Sequence, residues 1–187
     1  MEAYESTVNY KLIYVFSVPY DDHAGLLKIG DTTIKTAASE EQLLPNCELL
    51  NQAAHKRIKQ ETKTAYNKYE LLYTELAVKY ISQPNGKVFV QPFRDYDVRE
   101  VLARSGYLAK KFEDSGKFSE WYQVNLQTAK NAIKAVKEGR KVLTAAEKTE
   151  AQKEYTIQEN VSANPNITLR DEQRDAIEKT KNVFKGR

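Results

Sequence analysis

The period of apolar positions changes several times along the chain, and each change marks an element. Tyr10 to Val18 is a β-branched and aromatic run ended by Pro19, and Leu26 to Gly30 is a second, shorter run. The segment between them, Pro19-Tyr20-Asp21-Asp22-His23-Ala24-Gly25, has turn composition, so the two runs predict a β-hairpin. Leu43, Leu49, Leu50, Ala53, Ala54 and Ile58 then recur at mixed three and four spacing. They predict a helix from about Asn46 to Lys63, with Pro45 at its start. In Tyr69 to Tyr80, Leu71, Leu72, Leu76 and Ala77 suit a helix, while Tyr73, Val78 and Tyr80 suit a strand. The strand is preferred, because Pro84-Asn85-Gly86 supplies a turn and Lys87-Val88-Phe89-Val90 reads as its partner.

Val98, Val101 and Leu102 predict a helix over Asp95 to Arg104, stopped by Ser105-Gly106. Asp114-Ser115-Gly116 makes a loop, and Val124, Ala129, Ala132, Ile133 and Val136 give another amphipathic helix closed by Gly139. These elements predict an α+β fold: a small, mostly antiparallel sheet flanked by helices, with a C-terminal helical extension. Residues 1–139 form the first domain in this reading. Residues 140–166 are a polar linker, in which Thr144-Ala145-Ala146-Glu147 is a capping box. Leu169, Ala176, Ile177, Val183 and Phe184 then line a helix over 167–187. That helix needs a core to pack on, so the chain reads as the front end of a longer protein.

Composition narrows the function classes. No apolar run approaches the roughly 18 residues of a spanning helix, and the acidic start Met1-Glu2-Ala3-Tyr4-Glu5 is unlike a secretory signal. A cytoplasmic protein is the expectation. One cysteine, Cys47, permits no intrachain disulfide, and with only His23 and His55 beside it no structural zinc site can be assembled. The 29 basic and 26 acidic residues leave a net charge of only +3, so any nucleic-acid surface must be local.

The order of certain residues carries more. Leu12-Ile13-Tyr14 on the first strand, Lys28-Ile29-Gly30-Asp31-Thr32-Thr33 on the second, Arg57 on the following helix and Glu120-Trp121-Tyr122 later on form an ordered set. Over about Tyr10 to Lys137 this set resembles the GIY-YIG endonuclease superfamily. It is similar to a phage and restriction-system branch with Lys-Ile-Gly-x-Thr and Glu-Trp-aromatic signatures. Lysine stands where the wider family has its second tyrosine. The resemblance implies a nuclease that hydrolyses phosphodiester bonds of DNA with Mg²⁺ or Mn²⁺. Tyr14 would help activate the nucleophile, Lys28 would lower its pKa, and Arg57 would clamp the scissile phosphate.

The metal ligand in that family is a helical glutamate, which leaves Asp97, Glu100 and Glu120 as candidates, since Mg²⁺ is satisfied by one or two carboxylates plus water and phosphate. Arginine stands where this branch often has a histidine. Gly30, Thr32, Lys56, Lys59 and Arg99 are the expected phosphate and DNA contacts. Finally, Leu169-Arg170-Asp171-Glu172-Gln173-Arg174-Asp175-Ala176-Ile177 is similar to the segment that opens superfamily-two helicase motors, with Gln173 at the adenine-reading position. No Gly-x-x-x-x-Gly-Lys-Ser/Thr sequence occurs, so ATP would belong to a downstream motor. Two other readings stand beside the nuclease: a catalytically silent module of the same fold that holds DNA or a partner, and an interaction domain with no nucleic-acid role.

Overall fold

The computed structural model describes residues 7–61, 68–111 and 118–149. The fold is α+β. Seven strands are described: β1 (Val8–Ser17), β2 (Leu27–Thr36), β3 (Glu70–Leu76), β4 (Val78–Ser82), β5 (Val88–Pro92), β6 (Ala109–Lys111) and β7 (Phe118–Tyr122). Three helices accompany them: α1 (Glu48–Glu61), α2 (Asp95–Arg104) and α3 (Leu126–Lys137). Five strands form a sheet in the order β3-β1-β2-β7-β6, antiparallel at every pairing, and β4 and β5 form a separate two-stranded ribbon.

Strand β1 is interior to the sheet and apolar without alternation over Leu12 to Phe16, as a strand covered on both faces must be. Leu12, Tyr14 and Phe16 pack on Leu50, Ala54 and Ile58 of α1 and on Trp121. Ile13 and Val15 face the other way, toward Val98, Val101 and Leu102 of α2 and Ala129, Ala132 and Ile133 of α3. The sheet therefore sits between α1 on one side and the α2, α3 pair on the other.

Helix α1 is fixed to the sheet at its start. Asn46, with φ 61°, takes the left-handed conformation that asparagine tolerates better than most residues. Its N–H donates to the Thr74 carbonyl at 3.0 Å, and Thr74 N–H donates back to Asn46 Oδ1 at 2.9 Å. Asn51 on the first turns of α1 donates from Nδ2 to the Asn46 carbonyl at 2.9 Å and accepts from Thr74 Oγ1 at 2.7 Å. Thr74 is fully buried, so these bonds satisfy polar groups that would otherwise be costly.

The long apolar segment after Lys68 is strand, as expected, but broken at Ala77. There the N–H donates to the Lys11 carbonyl at 2.8 Å and the carbonyl accepts from Phe93 at 2.9 Å. Beyond that point the β4–β5 ribbon leaves the sheet, and the chain returns through Phe93 directly into α2.

Packing does not stop at Gly139, the end of the first domain in the sequence reading. Leu143 is buried in the α2, α3 core and its N–H donates to Ser105 Oγ at 2.9 Å. The capping box forms: Glu147 N–H donates to Thr144 Oγ1 at 3.2 Å, and Thr144 N–H to Glu147 Oε2 at 2.8 Å. Arg140 grips the same carboxylate with two bonds, of 3.0 and 2.9 Å. The first compact unit accordingly runs to Ala151, so the start of the expected linker is part of the folded body. The second unit, Gln152–Arg187, including Gln173 and the rest of the helicase-like segment, lies outside the described residues.

Candidate functional site

The β1–β2 register sets Tyr14 opposite Gly30 and Phe16 opposite Lys28. Directly opposed residues share a face of the sheet, so Tyr14 and Lys28 both point toward α1. Arg57 and Glu61 are one helical turn apart near the C-terminal end of α1, joined by an ion pair of 2.9 Å. Together these elements wall a polar cleft of about 430 Å³, lined by Gly30, Asp31, Arg57, Glu61, Asp95 and Glu120 among others.

Gly30 is required at the floor. A β-carbon there would stand 2.4 Å from Cζ and 2.5 Å from the hydroxyl oxygen of Tyr14. The Tyr14 ring is fully buried under the cleft, and its hydroxyl makes no well-formed hydrogen bond. Burial pushes the phenol above its usual range, the Glu61 carboxylate pushes the same way, and Arg57 opposes them only in part. The expected lowering by Lys28 does not occur. The Lys28 ammonium is drawn to Glu61 Oε2 at 3.5 Å and Glu120 Oε2 at 3.2 Å.

The rest of the cleft is a web of paired charges. Arg99 binds Glu120 Oε1 at 3.0 Å and Asp95 Oδ2 at 3.3 Å. Asp31 binds Lys11 at 2.7 Å and Arg94 at 3.3 Å. Asp31 and Asp95 also interact with each other. Asp95 is pushed up, first by burial and then by hydrogen bonding and repulsion from Asp31, against the pull of Arg99. Asp31 is held below the usual carboxylate range: Lys11, Asp95 and Arg94 together outweigh its burial.

Of the residues expected from sequence, Gly30, Arg57 and Glu120 line this cleft, Lys28 pairs with its Glu61 and Glu120, and Tyr14 lies beneath Gly30. Thr32 lines the cleft too and continues into an adjoining groove with Lys35, Lys56 and Arg57, between β2 and α1. Lys59 is an exposed residue of α1 that lines neither. Arg99 is in the cleft, but as a clamp on two carboxylates.

Asp97 and Glu100, the other expected metal ligands, do not line the cleft. Asp97 accepts the Arg94 N–H at 2.8 Å and caps α2, while Glu100 pairs with Arg104. The physical reason is helical phase: Asp95 and Arg99, four apart, share the cleft face, and residues two and five beyond Asp95 turn away from it. They line a different depression, with Lys79 and Arg140. His55 is exposed, and its Nδ1 lies 2.8 Å from the Tyr69 hydroxyl.

Glu61, Asp31, Asp95, Lys11 and Arg94 were not singled out from sequence. Two signals were available: Glu61 is four residues beyond Arg57 on a helix, and Asp31 directly follows the glycine. Among the described residues no three His, Cys, Asp or Glu side chains are grouped to hold a metal ion. The donor set does fit a hard divalent cation carried by one carboxylate, water and phosphate. Glu120 is the most exposed carboxylate of the cleft, at 46%, against 6%, 13% and 23% for Asp31, Asp95 and Glu61. No described helix is long and apolar enough to cross a membrane. Comparison of the chain with family models, curated proteins and solved structures finds no match.

Proposed function

We propose that the cleft hydrolyses phosphodiester bonds of DNA, with Mg²⁺ or Mn²⁺ as cofactor. The observation that carries this reading is convergence. Tyr14, Lys28, Gly30, Arg57 and Glu120, dispersed over more than a hundred positions of sequence, meet around one polar cleft. Hydrolysis needs a proton acceptor for water, a cation for charge growing on the phosphoryl oxygens and a carboxylate for a metal. The cleft offers each.

In this reading Arg57 turns its planar fork from Glu61 to a phosphoryl oxygen. The exchange frees the Glu61 carboxylate to accept the proton of an attacking water, and it uncovers the Tyr14 hydroxyl. Tyr14 acts as a neutral donor to a substrate or water oxygen, because its raised pKa keeps the phenol protonated at neutral pH. Lys28 holds Glu61 and Glu120 on either side of the reacting group. Glu120 would hold the cation, which when bound supplies Lewis-acid polarisation of the phosphate and acidifies water. The groove with Lys35 and Lys56 would receive the flanking backbone, an electrostatic contact that weakens with salt.

A silent module that binds DNA or a partner has its own support. All four cleft carboxylates are already paired with cations, and Tyr14 is closed over by the Arg57 and Glu61 pair. Plasmid cleavage with Mg²⁺ or Mn²⁺, beside salt-dependent binding to duplex DNA, separates the two. Binding with cleavage supports the nuclease; binding without cleavage, across both metals and modified substrates, supports the silent module. Absence of any DNA binding leaves the third reading, an interaction domain.

A further inference from the structure

The β4–β5 ribbon leaves five large apolar side chains in solvent: Tyr80, Ile81, Val88, Phe89 and Val90 are 42–57% exposed. Such a concentration on one small element is unusual for a free surface. The pairing resolves it into two faces. Ile81 is opposite Phe89 and Lys79 is opposite Gln91, so these four share a face. Gln83, whose N–H donates to the Lys87 carbonyl at 2.8 Å, and Lys87 continue the same rows toward the tip. One face thus carries an apolar pair at its centre, with a lysine and a glutamine at each end.

No acidic residue occurs between Glu75 and Asp95, in a chain that has 26 of them, whereas Lys79, Lys87 and Arg94 fall within that interval. The ribbon is also continuous with the cleft, because β5 leads through Phe93 to Arg94, which lines it. Two-stranded ribbons fit a groove of duplex DNA; apolar side chains wedge against base steps, glutamine reads base edges, and lysine contacts phosphates.

We infer that the β4–β5 ribbon is a second DNA contact, seated in a groove of the duplex held by the cleft, with Ile81 and Phe89 packed against the bases and Lys79 and Lys87 on flanking phosphates. This rests on the proposed nuclease or DNA-binding reading of the cleft and adds a groove contact away from the reacting phosphate.

The test uses the full chain, a fluorescein-labelled 30-base-pair duplex, and a second duplex in which 2-aminopurine reports unstacking. The double variant Ile81→Ala, Phe89→Ala should bind about tenfold more weakly, the scale of losing stacking on bases, with the salt slope unchanged and the 2-aminopurine signal lost. The double variant Lys79→Ala, Lys87→Ala should reduce the salt slope by about two. Ile81, Phe89 and Lys87 are exposed and Lys79 is half-buried, and thermal unfolding of each variant checks that folding is retained. Wild-type binding and cleavage that are equalled by both variants would overturn the ribbon contact while leaving the cleft reading intact. A wild type that binds no DNA would overturn both. Variants that convert a homodimer to monomer in sedimentation, with DNA affinity per protomer unchanged, would assign the ribbon to a second copy and overturn the inference as well.

Discussion

Gly30 and Tyr14 occupy one space. They are directly opposed in the β1–β2 register, and the tyrosine ring fills the volume that a side chain on residue 30 would need. The contact couples the floor of the cleft to the core under α1, so a change at either residue is felt at the other.

Gly30→Ala is expected to destabilise the protein by roughly 1–3 kcal/mol, the usual cost of overpacking, and to abolish cleavage by displacing the ring. In a Tyr14→Ala background the same substitution should cost almost nothing, since the colliding atoms are gone. A double-mutant cycle in urea measures this coupling; additive losses would show that the two residues do not compete for space.

Tyr14→Phe separates stability from chemistry. Removing a buried hydroxyl that lacks a well-formed partner should leave unfolding free energy unchanged or raise it by up to about 1 kcal/mol. Cleavage should fall, because the donor is lost. Equal activity in the two proteins would remove Tyr14 from the mechanism.

Arg57→Ala should slow cleavage about a hundredfold to a thousandfold, as loss of one preorganised charge stabiliser does. Duplex affinity should fall far less, since one phosphate contact is a small share of the electrostatic total. Single-turnover cleavage and fluorescence anisotropy on the same preparation compare the two.

The Asp31 and Asp95 pair predicts a particular pH dependence. The lowered Asp31 adds stability as pH rises toward the ordinary aspartate value of about 3.9, because below that value the unfolded chain binds more protons. The raised Asp95 acts oppositely: above about 3.9 the folded chain holds the extra proton, and stability declines until Asp95 ionises. The pair's contribution therefore peaks near pH 4. Asp95→Asn removes the declining limb, so its stability relative to wild type should improve as pH rises above about 4. Urea unfolding above about pH 4 reads the trend, and a constant difference would refute the raised Asp95 carboxyl.

Leu143→Ala should cost about 2–5 kcal/mol, the range for a buried leucine, although it lies beyond Gly139. Thermal and urea unfolding measure it. A negligible change would restore the earlier domain boundary.

What was legible in the sequence was periodicity with a local cause. The β1–β2 hairpin, α1 and α2 follow from apolar spacing and from turn or cap residues adjacent in the chain, and α2 ends at Arg104 as Ser105-Gly106 implied. The break at Ala77 was not legible, because its cause is a pair of hydrogen bonds to Lys11 and Phe93, distant in sequence. Strands β6 and β7 are three and five residues long and carry too few positions to show a period. The cleft was half legible for a related reason. Tyr14, Lys28 and Arg57 are marked by their place on particular elements, whereas the Asp31 and Asp95 pair exists only because α2 is carried against β2. The Tyr14 shift is set first by burial and then by Glu61, and the register alone does not say that Lys28 turns to Glu61.

The bonds that tie Asn46, Asn51 and Thr74 together make α1 a lever with its fulcrum at the edge of the sheet. Arg57 lies eleven residues along from Asn46, about 16 Å at the helical rise, so a tilt of about 4° at the fulcrum moves the guanidinium by about 1 Å. A displacement of that size is enough to cost an active site roughly a hundredfold in rate. Substitutions at Thr74 or Asn46, away from the cleft, would thus detune the proposed cleavage mechanically, and selection on the aim of Arg57 would be exerted at the other end of the helix.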